Sequence, residues 1–214
     1  MKCVLALIFM SLLMGCEQPE PNLLKNPSFE EGEESWFWME TSDYWQEFCI
    51  SDQTPRTGNR SCLTLLEASP QSQSTLIVGA VQDIFPSSVP EKVSGYYYVE
   101  MWKKNAEKMY IQVVIIFFQD EKENYPSTQL RYVLAGISRE PFLIGNAKFI
   151  FVTREEPEIG RWIHFEMNVK KDLLDTWGEI PSFKRIGLYL EVRYDSAPSG
   201  EVGAAVYWDD IFLG

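Results

Sequence analysis

The sequence predicts an all-β fold, a β-sandwich or jelly roll, and three observations lead to this prediction. Short runs rich in Val, Ile, Phe and Tyr recur along the chain, about ten of them, with turn residues between them. Within several runs apolar residues alternate with polar ones, which is the period of a strand with one buried face. A helical period is almost absent from the 214 residues.

The N-terminal segment has the pattern of an export signal. Residues 1–15 carry one Lys and then an apolar run that is too short to span a bilayer. The end of this run, Leu13-Met14-Gly15-Cys16, resembles the lipobox of prokaryotic lipoproteins. That resemblance implies cleavage before Cys16, a lipid on its sulfur and a place in the cell envelope, in the inner or the outer membrane. The alternative is an ordinary signal peptide with an incidental Cys.

The rest of the chain is predicted to be a short tether followed by one domain. Residues 16–21 suit a polar, Pro-rich spacer, and residues 22–214 are enough for a single β-sandwich that no linker divides. Nineteen basic against 31 acidic residues give a formal net charge of −12. Nucleic-acid binding needs clustered Lys and Arg, so nucleic acid is not an expected partner.

The predicted strands follow one another with little else between them. Residues 109–118 form a long β-branched run, which is typical of a central strand covered on both faces. One helical turn is expected at 172–177. The predicted strands are 36–48 (strand or loop), 61–66, 75–85, 93–104, 109–118, 128–135, 148–153, 161–170, 184–194 and 204–213.

Two cysteines remain in the predicted domain, Cys49 and Cys62. Export to an oxidising compartment favours a disulfide between them, and a bond that closes such a loop contributes about 3 kcal/mol. The alternative is two free thiols, one in each of two neighbouring strands. The sequence has no CxxC pair and no Cys/His cluster, so a structural zinc site is not expected.

Aromatic and polar side chains alternate with core residues in three of the predicted strands. Sugars stack their C–H faces on aromatic rings while polar side chains fix their hydroxyls, so these rows predict a carbohydrate-binding face. The alternative is that the segment 121–158 covers this face. A second candidate patch, the second aromatic group, comprises Trp36, Trp38, Tyr44 and Trp45, and packing beneath the segment 49–62 is the favoured explanation for it. The predicted face comprises Tyr98, Glu100, Trp102, Tyr110, Gln112, Tyr189, Glu191 and Arg193.

Several motifs occur in a characteristic order along the mature chain. They are 22–24 (NLL), 26–30 (NPSFE), Gly32, Trp36, 57–63 (TGNRSCL), 97–104 (YYVEMWKK), 160–165 (GRWIHF) and 206–211 (VYWDDI). In this order they resemble the jelly-roll carbohydrate-binding modules of the galactose-binding-like group, which are attached to many xylanases and cellulases. The resemblance implies a β-sandwich whose concave sheet binds carbohydrate. The segment 121–158 departs from it by being longer than usual.

The same resemblance implies a structural calcium ion near the edge of the sandwich. Its ligands would be the backbone of Ser28 and Asn59 and the carboxylates of Glu30 and Asp209. Carboxylate and carbonyl oxygens are what calcium prefers. The alternative is that Glu30 and Asp209 cap turns or accept backbone N–H bonds.

These observations together predict a non-catalytic, lipid-anchored protein that binds a glycan. The alternative is a non-catalytic envelope protein that binds another protein or helps to assemble a surface complex, because fold does not settle function. A third possibility is a glycosidase that uses Glu100 and Glu191. The only His, His164, is at an outward strand position, and no GxSxG, HExxH or phosphate loop is present, so the simpler role of these carboxylates is hydrogen bonding to hydroxyls.

Overall fold

A computed structural model describes residues 21–214 as β-strands in two sheets with one short helix. The predicted signal segment, the predicted lipidation site Cys16 and most of the predicted tether lie outside the described residues. The strands are β1 (Trp45–Gln46), β2 (Cys49–Ser51), β3 (Ser61–Ala68), β4 (Leu76–Ile84), β5 (Val93–Lys103), β6 (Met109–Phe118), β7 (Ser127–Ala135), β8 (Phe142–Ile144), β9 (Ala147–Phe151), β10 (Trp162–Met167), β11 (Arg185–Tyr194) and β12 (Val202–Leu213), and the helix is α1 (Val169–Trp177).

The two sheets confirm the predicted β-sandwich. One has seven strands in the order β1-β4-β11-β6-β7-β9-β8, and the other has five in the order β10-β5-β12-β3-β2. Strand β6 is buried along its whole length and lies between β11 and β7, as its β-branched run predicts. Within the described residues no helix has the length and apolar character needed to cross a membrane.

A large apolar core fills the space between the sheets, and Trp208 lies at its centre. Trp208 is fully buried, and its ring centroid is 6.1 Å from that of Tyr97 and 6.3 Å from that of Phe165. Its indole N–H donates to the hydroxyl of Thr64 at 3.1 Å, so the polar atom of the ring is satisfied inside the core.

The two ends of the described chain pair with each other. The backbone N–H of Leu23 donates to the carbonyl of Leu213 at 2.8 Å, and the N–H of Ile211 donates to the carbonyl of Pro27 at 3.0 Å. The side chain of Asn22 donates to the carbonyl of Ile211 at 2.8 Å and accepts from the N–H of Leu213 at 3.1 Å. The opening motif therefore closes the sandwich against its last strand.

Helix α1 is longer than the helical turn predicted at 172–177. The side chain of Asn168 caps its N-terminus by accepting from the N–H of Lys171 at 2.8 Å, and Gly178 ends it in the left-handed conformation. Val169 and Leu173 are its buried residues. The hydroxyl of Tyr132 donates to Asp172 at 2.9 Å, which ties the helix to β7.

The predicted disulfide between Cys49 and Cys62 is absent from the structure, in which both cysteines are free thiols. Strands β2 and β3 are antiparallel neighbours, with Cys49 opposite Leu63 and Cys62 opposite Ile50. Adjacent residues of a strand point to opposite faces, so Cys62 enters the core while Cys49 faces outward. Burial raises the pKa of both thiols. The alternative of two thiols in neighbouring strands is the one observed.

The long segment 121–158 extends the seven-stranded sheet and does not lie over it. It contains β7, β8 and β9, of which β9 runs parallel to β7 and antiparallel to β8. Phe142 and Phe149 stack across β8 and β9 with ring centroids 4.6 Å apart. The extra length therefore adds width to one sheet, and its residues Asn124 and Tyr125 line a groove on the outer face.

Candidate functional site

The outer face of the seven-stranded sheet carries a groove of about 560 Å³. Its floor is formed by outward side chains of β4, β6, β7 and β11. The segment that carries Tyr44 and Trp45 forms one wall, and Tyr125, which is 74% exposed, lies in the loop before β7. A concave surface of this size, lined by both aromatic and polar groups, is typical of a small-molecule or glycan site.

Two aromatic rings lie on the floor and wall of this groove, Trp45 and Tyr189. Their ring centroids are 6.1 Å apart and their planes are inclined by 57°. Two glycines make this packing possible. A Cβ atom on Gly79 would lie 3.0 Å from the Trp45 ring, and one on Gly187 would lie 2.7 Å from the Tyr189 ring. The absence of side chains at these positions therefore lets both rings lie along the sheet.

A polar network lies beside the aromatic rings on β6 and β11. Gln112 donates to Glu191, Tyr110 donates to Asp195, and the guanidinium of Arg193 pairs with Asp195 and lies 3.8 Å from Glu191. Burial raises the pKa of Tyr110, so its hydroxyl stays protonated at neutral pH. The oxygen of Gln112 and the Nε of Arg193 are buried without a protein partner among the described residues.

The prediction that eight residues share one binding face is wrong. Tyr189, Glu191 and Arg193 line the groove, although Tyr189 and Glu191 are only 7% and 3% exposed, and Tyr110 and Gln112 are buried beside it. Tyr98, Glu100 and Trp102 belong to β5, which lies in the five-stranded sheet. Outward side chains of the two sheets of a sandwich point to opposite sides of the molecule, so Tyr98 and Glu100 lie on the far side. A register shift after Val99 reverses the alternation, and Trp102 packs against the core between the sheets.

Neighbouring side chains hold all three predicted residues, Tyr98 and Glu100 on the outer face of the five-stranded sheet and Trp102 against the core. The ring of Tyr98 packs 5.7 Å from Trp162 and 6.0 Å from Tyr207, measured between centroids. The hydroxyl of Tyr207 donates to Glu100 at 3.0 Å, and the indole N–H of Trp102 donates to Glu156 at 2.7 Å. These contacts give the aromatic side chains of β5 a structural role.

Sequence reasoning missed several groove residues outside the three rows that it selected. Trp45 and Tyr44 were part of the second aromatic group, which the structure divides: Trp36 is buried in the core, whereas Trp45 faces the groove. Gln129 and Arg131 lie on β7, within the segment 121–158 that is longer than in the resembled family. Alternation along 128–135 is the signal that places both on one face.

The four predicted calcium ligands lie where the first turn, the 56–60 turn and β12 meet. Glu30 accepts the backbone N–H groups of Asn59 and Arg60, each at 2.9 Å, and these bonds lower its pKa. A Cβ atom on Gly58 would overlap the Glu30 carboxylate, and Gly58 also has a positive φ of 62°, so glycine suits this position in two ways.

Asp209 is the buried member of the predicted calcium site. It accepts the backbone N–H groups of Arg56 at 2.8 Å and Thr57 at 3.1 Å. Burial raises its pKa to about 6, although these amide hydrogen bonds act in the opposite direction. Both carboxylates thus accept backbone N–H bonds, as the alternative without an ion predicts. Among residues 21–214 no three His, Cys, Asp or Glu side chains are grouped to hold a metal, so an ion would also need carbonyls such as those of Ser28 and Asn59.

Comparison with known proteins shows the class of fold. No family model and no curated protein matches the sequence. A carbohydrate-binding module of the β-sandwich superfamily, described as promiscuous in specificity, is similar with 11% identity and a TM-score of 0.50 over 87% of this chain and 60% of that one. The chain therefore has the fold of the β-sandwich carbohydrate-binding modules.

Two further solved structures are similar at lower TM-scores. TmCBM61 in complex with β-1,4-galactotriose is 13% identical, with a TM-score of 0.46 over 91% of this chain and 99% of that one. The enzymatically active domain of tailspike protein 4 from bacteriophage CBA120 is 12% identical, with a TM-score of 0.45 over 90% of this chain and 21% of that one. Function therefore has to be argued from the residues of the groove.

Proposed function

We propose that this protein binds a carbohydrate in the groove of the seven-stranded sheet and catalyses no reaction. The observation that carries the proposal is the pairing of Trp45 and Tyr189 beside the polar network of Gln112, Glu191 and Arg193. Aromatic faces bind the C–H surfaces of sugars, and the neighbouring polar groups bind hydroxyls. The fold that the chain shares with carbohydrate-binding modules supports the same function.

The positions of Glu100 and Glu191 do not support the glycosidase that the sequence offered as a third possibility. A glycosidase needs two carboxyl groups on either side of the scissile bond, about 5–10 Å apart. Glu100 and Glu191 belong to different sheets, so they do not form such a pair. Glu191 also accepts a hydrogen bond from Gln112, which suits a group that orients hydroxyls.

A lipid anchor is the second part of the proposal. The lipobox-like sequence before Cys16 would give a protein attached to a membrane of the cell envelope, with residues 16–21 as a spacer. Binding to a polysaccharide at the cell surface would follow from that position. The anchored protein would then hold a glycan close to the cell.

A glycan array probed with the purified protein tests the proposal. We expect binding to at least one polysaccharide, which affinity electrophoresis then confirms in solution. A protein that melts cooperatively but binds no glycan would contradict the proposal. Capture of one defined envelope protein by the same sample would then favour the alternative of a surface-assembly role.

A calcium ion between the first turn and β12 remains a prediction. We expect millimolar calcium to raise the melting temperature of the protein and a chelator to reverse the effect, because an ion that binds only the folded state stabilises it. Glu30→Gln and Asp209→Asn should each abolish this difference, as measured by differential scanning fluorimetry. Glu33→Gln, a change at a nearby exposed carboxylate, is the matched control. Equal melting of the unmodified protein in calcium and in chelator would rule the ion out.

A further inference from the structure

The guanidinium of Arg131 lines the groove, and no acidic side chain among residues 21–214 pairs with its positive charge. It faces outward from β7 and lines the same groove as Trp45 and Tyr189. Other arginines on this sheet are paired: Arg185 with Asp83, and Arg193 with Glu191 and Asp195. Arg131 makes no ion pair with any residue between 21 and 214, in a chain whose formal net charge is −12.

A neutral amide holds the Arg131 guanidinium in place. The side-chain oxygen of Gln129 accepts from Nε at 3.0 Å and from Nη2 at 2.8 Å, and the guanidinium carbon lies 5.5 Å from the centroid of the Phe149 ring. Both hydrogen bonds use one side of the guanidinium. The N–H groups of Nη1 and the second N–H of Nη2 therefore have no partner among the described residues.

The free end of this guanidinium suits an anion with two oxygens. Nη1 and Nη2 present parallel N–H donors, which match the two oxygens of a carboxylate or of a sulfate in both geometry and charge. Arg193 does not offer the same end, because Asp195 and Glu191 already bind it. Within the groove, Arg131 is thus the arginine that is fixed in position and still open to a ligand.

Strand register places Arg131 in line with the aromatic wall. Arg131 is opposite Val114 on β6, and Val114 is opposite Tyr189 on β11. Arg131 and Tyr189 are therefore two strand spacings apart, roughly 10 Å, on one face of the sheet. A sugar ring in the groove that contacts the aromatic wall at Trp45 would have a substituent within reach of the guanidinium, because all three residues line the same groove.

We infer that the groove recognises an acidic glycan, whose carboxylate or sulfate group binds Arg131 while its sugar rings contact Trp45 and Tyr189. The inference rests on the proposed function and narrows it from carbohydrate in general to an anionic polysaccharide. The aromatic wall supplies contact area that any sugar of suitable shape can use. The unpaired, pre-oriented guanidinium supplies the preference for charge.

Matched pairs of probes that differ only in charge test this inference. One arm compares oligogalacturonate with its methyl ester, and the other compares a sulfated galactan with its desulfated form, each by isothermal titration calorimetry at low salt. We expect the acidic member of at least one pair to bind about tenfold more tightly or better. The arm that shows the preference identifies the anion as carboxylate or sulfate.

Variants of Arg131 separate this charge preference from glycan binding itself. Arg131→Gln should abolish the preference for the acidic member of the pair, and Arg131→Lys should keep part of that preference because the charge remains without the planar fork. Arg139→Gln, which removes an exposed arginine from the loop after β7, is the control and should leave the preference unchanged.

Two results would overturn the inference and leave the proposed function intact. The first is that the protein binds the charged and the neutral member of each pair with equal affinity. The same conclusion follows if the protein binds neither pair although it binds neutral glycans on the array. The other is a preference for the acidic probe that persists in Arg131→Gln. Failure to bind any glycan, charged or neutral, contradicts the proposed function as well.

Discussion

Replacing Trp45 by Ala is expected to lower glycan affinity by about thirtyfold or more. The indole ring forms the aromatic wall of the groove, and truncating an aromatic residue at the centre of a binding site typically costs about 2 kcal/mol or more. The fold should survive the change, because Trp45 lies on a two-residue strand at the edge of the sheet. Titration of the best ligand from the glycan array measures the loss.

Two variants serve as controls for this prediction. Trp45→Phe should keep a substantial part of the affinity, since an aromatic face remains in place. Trp162→Ala removes an aromatic ring from the outer face of the five-stranded sheet, where it packs against Tyr98, and should bind as the unmodified protein does. Loss of binding in Trp162→Ala together with normal binding in Trp45→Ala would move the site to the five-stranded sheet.

Replacing Trp208 by Ala is expected to lower the free energy of unfolding by about 4 kcal/mol. The side chain is fully buried between the sheets, so its removal loses apolar burial and leaves a cavity that its neighbours fill only in part. The contacts with Tyr97 and Phe165 and the hydrogen bond to Thr64 are lost as well. Urea denaturation followed by circular dichroism gives the change.

The size of this effect distinguishes a core residue from a surface one. Trp208→Phe should cost less than Trp208→Ala, because a ring still fills most of the space and only the indole hydrogen bond is lost. Leu174→Ala on the exposed side of α1 should change stability by no more than about 0.5 kcal/mol. A loss below about 1.5 kcal/mol for Trp208→Ala would mean that the two sheets repack around the missing ring.

The strands could be predicted because apolar–polar alternation is visible within each short segment. The closure of the sandwich could be predicted because the motifs at the two ends of the chain occur in the order typical of the resembled family. Alternation along 184–194 separates the groove residues Tyr189, Glu191 and Arg193 from the core residues between them, as the structure shows for β11. The motifs at both ends predicted the fold, and the backbone bonds between Leu23 and Leu213 bring those ends together.

The composition of the site could be predicted only in part. Alternation tells which residues of a strand point away from the core, but it does not tell which sheet the strand joins. That is why Tyr98 and Glu100 were grouped with residues that lie on the other side of the sandwich. Alternation also fails at Trp102, because a register shift after Val99 turns that side chain toward the core. The register of β2 and β3 likewise decides that Cys49 and Cys62 point apart, although both lie in neighbouring strands.

By itself, the sequence determined that this protein is a β-sandwich with aromatic and polar rows on its strands, because strand period and turn residues are properties of short segments. Only the tertiary structure decided which rows form a groove. Pairing β7 beside β6 brought Arg131 into line with Tyr189, and the side-chain-free floor at Gly79 made room for Trp45. Both outcomes depend on contacts between segments far apart in the chain, which the pattern within any one segment does not encode.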